Sequence, residues 1–226
     1  MPMYWLPMLV FLLPAIGAHG ALWLSQTHEL IEVCNPYLDG CTSISAAGRN
    51  EPAIFLFRGM LMPKAVLLAL FWPLCGHWLR CLGARPSIWH WTIAAMGIGG
   101  AVFLLLYLLF LGTEGEVHRL LRRYGVHLYF FCTYSAQVLA TWRLYRMGPA
   151  AQVPTALVRI LVAQCVLMLA IGVTALPAAE WWLDRSRVNN AMAWNMAALG
   201  MSWFLVTAIA WWHTSFRVSG STSTTH

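Results

Sequence analysis

The chain has 226 residues, 60% of them apolar and 10% charged, with a mean hydropathy of +0.64. A water-soluble domain is about 45–50% apolar and roughly 25% charged, so this composition excludes a soluble globular protein and points to a bilayer. The formal net charge is +6, yet no basic run of the kind that grips a nucleic-acid backbone is present, and that partner class is excluded as well.

In chain order, six apolar segments of about 20 residues are predicted to cross the bilayer. The first, 4–24, lacks a basic leader and is too long for the apolar core of a signal peptide, so it is expected to be an uncleaved span. Its Gly17 and Ala21, four apart, would let a neighbouring helix come close. A polar interval over 25–51 follows, carrying Glu29, Glu32, Asp39, Arg49 and Glu51. It also holds Cys34 and Cys41, which would pair as a disulfide if this loop faces an oxidising compartment. The second span, 53–75, contains Pro63, which predicts a kink, and Lys64 near its middle. A register shifted to 60–82 would bring Lys64 to the headgroups instead, and both registers stay open.

A short basic turn with Arg80 and Arg85 leads to the third span, 88–112. Its early small residues (Ala94, Ala95, Gly97, Gly99, Gly100, Ala101) predict tight packing at the bundle centre. A loop with Glu114, Glu116 and His118 precedes the fourth span, 124–142. The fifth covers 156–176. The sixth covers 191–212, after a loop holding Glu180, Asp184, Arg185 and Arg187. The Ser/Thr-rich tail 219–226 is expected to be disordered.

The expected fold is therefore all-α, a polytopic membrane bundle of six transmembrane helices forming one domain over 1–218. Six spans put both termini on one side, and all eight acidic residues then fall in the three loops opposite. Lys/Arg counts are nearly balanced between the sides, six against seven with Lys64 left out. The termini are expected to be cytoplasmic, because the long first loop and its cysteines suit the outer side. Whether the membrane is a plasma, inner or internal one is not written in the chain. Trp78, Trp89, Trp91, Trp142, Trp211 and Trp212 would form one interfacial belt, with Trp23, Trp181, Trp182 and Trp194 near the other.

Polar groups inside a bilayer each call for a partner. On the fourth span His127, Tyr134, Gln137 and Thr141 recur at intervals of seven, three and four, which lines one helical face. On the sixth, Asn195 and Ser202 share a face. Such residues form either a polar pocket open to the acidic loops or hydrogen-bonded joints between helices. Arg49 and Arg58 flank the start of the second span, where an arginine fork suits phosphate oxygens and simple snorkelling fits equally. Glu114, Glu116 and His118 would supply acid/base chemistry or form a solvated loop. No CxxC or Cys/His metal-binding spacing occurs, so neither a metal nor a cofactor is expected.

The run Thr-Ser-Ile-Ser-Ala-Ala-Gly over 42–48, followed by Pro52, Phe55 and Arg58, resembles the hallmark loop of the FRAG/DRAM/SFK family. These six-pass membrane proteins include the damage-regulated autophagy modulators and factors that remodel the lipid of GPI anchors. The amino-terminal domain of the yeast cell-wall-hydrolysis protein also belongs to them. The acidic, His-containing loop before the fourth span, Trp142-Arg143-Leu144 at that span's end, and Ala210-Trp211-Trp212 at the last span's end are similar to the remodelling branch. Two positions depart from it. Ala53 stands where relatives often carry an acid, and Asn195 is the nearest polar residue to a Glu they carry early in the last helix.

The resemblance implies a lipid site built from Ser43, Ser45, Gly48, Pro52, Arg58 and His127, with Asn195 as a substitute. Arg49 and Tyr134 join them from the residue reading. The function expected is binding of an outer-leaflet phospholipid or glycolipid, and assistance in its remodelling or organisation. No nucleophile, base and orienting group can be assembled from the sequence, so His127 is a catalytic candidate without a reaction. The partners expected are membrane lipids and a membrane protein. Two other readings are a regulatory scaffold using Arg80, Arg85, Arg143 and Arg146, and a b-type haem or quinone protein built on histidine pairs.

Overall fold

The computed structural model describes residues 2–84, 88–181 and 184–217, with side chains outside 175–181. The tail 219–226, Arg85, Trp182 and the side chains of Glu180 and Trp181 therefore lie outside the described residues. Among the described residues seven α-helices follow one another: α1 (Trp5–Thr27), α2 (Ile44–Ala47), α3 (Ala53–Cys81), α4 (Ile88–Phe110), α5 (Glu116–Met147), α6 (Thr155–Trp181) and α7 (Arg185–His213). A 3-10 turn, Gly148–Ala151, joins α5 to α6.

This is an all-α membrane bundle. Among the described residues five helices (α1, α3, α4, α6 and α7) are long and apolar enough to cross a bilayer. The 32-residue α5 is longer still but does not reach that apolarity, because arginines occupy both its ends and its middle carries Thr133, Gln137 and Thr141. Those three side chains are buried against other helices. Apolar side chains such as Ile16, Val66, Leu70, Val102, Phe131 and Val166 cover the outside of the bundle.

Each long helix packs on the next in sequence and α7 returns to α1, so the six close into a ring. The α4–α5 seam is the most extensive and the α5–α6 seam the most sparsely packed. The described ends meet as well. Pro2 and Arg217 form an antiparallel bridge, and the Met3 N–H donates to the Phe216 carbonyl at 3.1 Å.

Small residues set these seams. A Cβ on Gly97 would come within 2.0 Å of the Trp72 ring, and one on Gly100 within 2.7 Å of Thr133 Oγ1. At Gly125 of α5 the backbone of α4 itself is the neighbour, with Tyr107 N only 3.0 Å from where a Cβ would stand. Trp72 belongs to an aromatic floor near the end of the bundle where the termini meet. Its ring centroid lies 5.0 Å from that of Phe71 and 5.8 Å from that of Trp203, and Phe71 stacks on Trp211 at 5.4 Å.

The helices outrun the apolar segments read from the sequence. α5 begins at Glu116, well before position 124, and α3 runs unbroken through Pro63 and Pro73 to Cys81. Hydropathy marks the part of a helix that lies in hydrocarbon, whereas the backbone ladder continues into the interface. Glu116 in the first turn also suits the positive end of the α5 dipole. The tryptophan belts need correcting too. Trp89, Trp91, Trp142, Trp212 and Trp23 are exposed as interfacial anchors should be, but Trp78, Trp211 and Trp194 are buried in the bundle.

Candidate functional site

The polar interval between α1 and α3 folds over one end of the ring as a lid. Ser43 has extended backbone and its Oγ accepts the Ala46 N–H at 3.1 Å, which starts the single turn of α2. Ser25 of α1 donates to the Ala47 carbonyl at 2.7 Å, and the Ser45 and Tyr107 hydroxyls are 2.9 Å apart. From α7, Trp194 Nε1 donates to the Thr42 carbonyl, Asn190 Nδ2 to the Gly40 carbonyl and Asn195 Nδ2 to the Tyr37 carbonyl, each at 3.0 Å. Gly40 has φ +60° and lies against the Arg187 carbonyl, a position that admits no side chain. Gly48 lies on the Phe57 ring, and Pro52 stands immediately before α3.

The Cys34–Cys41 disulfide is formed. Beside it Tyr37, His19 and Trp194 make an aromatic group with centroids 5.5–6.0 Å apart, and the Tyr37 hydroxyl is 2.8 Å from His19 Nε2. Burial pushes the Tyr37 phenol above its ordinary pKa. At the start of α7, hydrogen bonds from Ser186 and Arg187 hold the Asp184 carboxyl below the usual carboxylate range.

The Ser45–Tyr107 pair is the lid's polar tie to α4. Loss of either hydroxyl (Ser45→Ala or Tyr107→Phe) should cost about 1 kcal/mol. The double variant should be no worse than the poorer single one in a denaturant or thermal unfolding series. Additive losses would mean that the two hydroxyls act separately.

Beneath the lid the ring encloses a cavity of ≈ 90 Å³. All six long helices contribute to its wall, and Ile44 and Ser45 of α2 form its roof. The wall is mainly apolar (Phe57, Leu61, Leu104, Phe130, Met168, Met201, Phe204), with Lys64, Tyr107, Tyr129, Thr133, Tyr134 and Gln137 as its polar members. Lys64 is 2% exposed and donates to the Tyr129 hydroxyl, and its Nζ lies 4.7 Å from the Tyr129 ring centroid. Helix α3 spans both registers left open for its segment and turns Lys64 inward. Gln137 Nε2 donates to the Gly200 carbonyl and Tyr134 to the Cys165 carbonyl, both at 2.8 Å. Thr133 Oγ1 is buried without a hydrogen-bond partner among the described residues.

The residues singled out in the sequence are thus divided. Ser45 and Tyr134 line the cavity. Ser43, Gly48, Pro52, Asn195 and the Cys34–Cys41 bridge shape or fasten its cover. Three others lie outside the cavity. His127 lies on the exposed side of α5, its Nδ1 2.6 Å from the Arg123 carbonyl, and does not reach the cavity. Heptad spacing fixes a side chain's azimuth, but it carries no information on whether a neighbouring helix covers that level. Arg58 is committed to the end of α4, its Nη2 donating to the Leu111 carbonyl and, at 3.3 Å, to that of Leu109. That is a cation completing a helix C-terminus. Arg49 lines a separate, solvent-facing hollow with Arg119, Arg122, Glu114 and Glu116. His118 sits at that end too, bonded to the Glu114 carbonyl at 2.7 Å and stacked on Phe110.

Sequence reasoning missed Lys64, Tyr107, Tyr129 and Thr133 as site residues. A lone charge in mid-span is itself a signal of an interior site, and Lys64 carried it. The tyrosines carried none. No histidine lines the cavity, and both nitrogens of His19 are engaged, by the Ala15 carbonyl and by Tyr37. Among the described residues no three His, Cys, Asp or Glu side chains come together. Comparison of the chain with protein-family models, with curated proteins and with solved structures finds no match.

Proposed function

We propose that this chain is a six-span membrane protein that binds a membrane lipid in the cavity beneath the serine-rich lid and assists remodelling of its acyl chains or its organisation in the outer leaflet. The observation that carries the reading is the cavity itself. It is a mostly apolar hollow inside a ring of membrane helices, closed over by a loop that three helices fasten, with a buried cation in its wall. Water-soluble ligands are poorly served by such walls, whereas an amphiphile from the bilayer meets matching chemistry. The likeness of the Ser-Ile-Ser loop to the FRAG/DRAM/SFK hallmark supports the same reading. The test is lipidomics of cells with and without the protein. One lipid class should change in acyl composition, and an unchanged profile would overturn the proposal.

The topology follows from the same reading. That both described ends lie together and six long helices form the ring supports α5 crossing with the other five despite its polarity, and the disulfide of the first loop supports an oxidising side for the lid and a cytoplasmic side for the termini. Cys81 is the exposed free thiol at that end of α3, while Cys75, Cys132 and Cys165 are buried. A membrane-impermeant maleimide should leave Cys81 unlabelled in intact cells and label it after permeabilisation. Labelling of intact cells would reverse the orientation.

A further inference from the structure

Among the described residues Lys64 is the one buried charge that neither lid nor ring explains. It stands eleven residues on from Ala53, about 16 Å along the axis of α3. An ammonium carries three donors, and the Tyr129 hydroxyl takes one. Among the described residues no carboxylate pairs with it, and the three ion pairs present join exposed side chains. A charge held in an apolar interior without a counter-charge is strongly disfavoured. The residue therefore calls for a negative group that the described residues do not supply.

The shape of the cavity says what brings that group. Its lining on α7 runs from Trp194 to Phe204, about 15 Å of helix. Its ≈ 90 Å³ is far below the roughly 300–1,000 Å³ of sites that engulf a compact small molecule. So small a volume, lined over that length of helix, suits one narrow chain rather than a compact guest. Away from the lid its walls are Phe130, Met168, Met201 and Phe204, and the methionines adapt to an irregular guest. The α5–α6 seam, the most sparsely packed of the ring, is where a chain from the bilayer would enter most easily. One ammonium and one phenol suit a singly charged head. Phosphate is more often gripped by guanidinium forks, and Arg49, Arg58, Arg119 and Arg122 all lie outside the cavity.

We infer that the cavity binds a single-chain amphiphile with a carboxylate head, of the fatty-acid class. The carboxylate sits on the Lys64 ammonium and accepts the Tyr129 hydroxyl proton as a hydrogen bond, and the tail lies along the slot toward Phe204. This rests on the lipid-binding reading above and assigns to the cavity the free acyl chain that such remodelling takes up or releases.

The test is equilibrium binding of tritiated palmitate to the full chain purified in dodecyl maltoside, beside methyl palmitate and dodecyl phosphate, for wild type and Lys64→Met. Palmitate should bind the wild type saturably, and at least ~10-fold more weakly when the charge is removed from either partner, in Lys64→Met or in the ester. Ligand-free Lys64→Met should unfold at no lower temperature than wild type, since an uncompensated buried charge is gone. A clearly lower unfolding temperature would make Lys64 a structural residue and overturn the inference. Absence of palmitate binding, equal binding by both proteins, equal affinity for the ester, or preference for dodecyl phosphate would overturn it too. Any of these beside an altered cellular lipid profile would remove this inference alone, whereas an unchanged profile would remove the reading beneath it.

Discussion

Replacing Gly97 by valine should destabilise the protein by about 3 kcal/mol or more, the upper part of the range for overpacking a tight core. The reason is local. The Trp72 ring lies across the α4 backbone where a Cβ would stand, 2.0 Å from its nearest ring carbon. Trp72 cannot retreat, because Phe71, Trp203 and Phe204 pack around it. Gly59 supplies the control, since nothing lies within 4 Å of its missing Cβ. Gly59→Ala should be neutral or stabilising by roughly 0.5–1 kcal/mol, from helix propensity alone. Unfolding temperatures of the two variants in one detergent check both claims, and equal effects would refute the packing account.

Trp194→Ala should cost about 3–5 kcal/mol, as for other buried aromatic truncations, and it should open the lid. Trp194 is 1% exposed, walls the cavity, packs on His19 and Tyr37, and donates to the Thr42 carbonyl. Trp194→Phe keeps most of the volume and loses the donor, so it should cost nearer 1 kcal/mol. Limited proteolysis separates this from general unfolding. The alanine variant should be cut first within 28–52 while the helices remain protected, and simultaneous cleavage throughout would contradict the lid's role.

The architecture was legible because a bilayer imposes one strong rule. Apolar runs of the right length become helices, and even α5, diluted by Gln137 and Thr141, was read as one. Helix ends were less legible, since α5 starts at Glu116 in a stretch that is charged but still helical. The lid could be read as a turn from its Ser and Gly residues, and Ser43 does cap α2. Side-chain destinations were a different matter. Arg58, Asn195 and Trp194 all bind backbone carbonyls contributed by distant segments, and no spacing within their own helices encodes those partners. His127 shares a heptad position with Tyr134, yet only Tyr134 sits at a level where α6 covers it. Lys64 announced an interior site, but two possible registers hid which way it faced until α3 proved to continue from Ala53 to Cys81.

The most direct measurement is native mass spectrometry of the purified protein beside an Ala197→Phe variant. Ala197 walls the cavity and makes none of the lid's hydrogen bonds, so a phenyl group there is expected to fill the hollow with the lid still fastened. The account predicts a lipid adduct on the wild type that resists stepwise activation and is lost from the variant. A wild type that flies lipid-free, or a variant that keeps the same adduct, would contradict it.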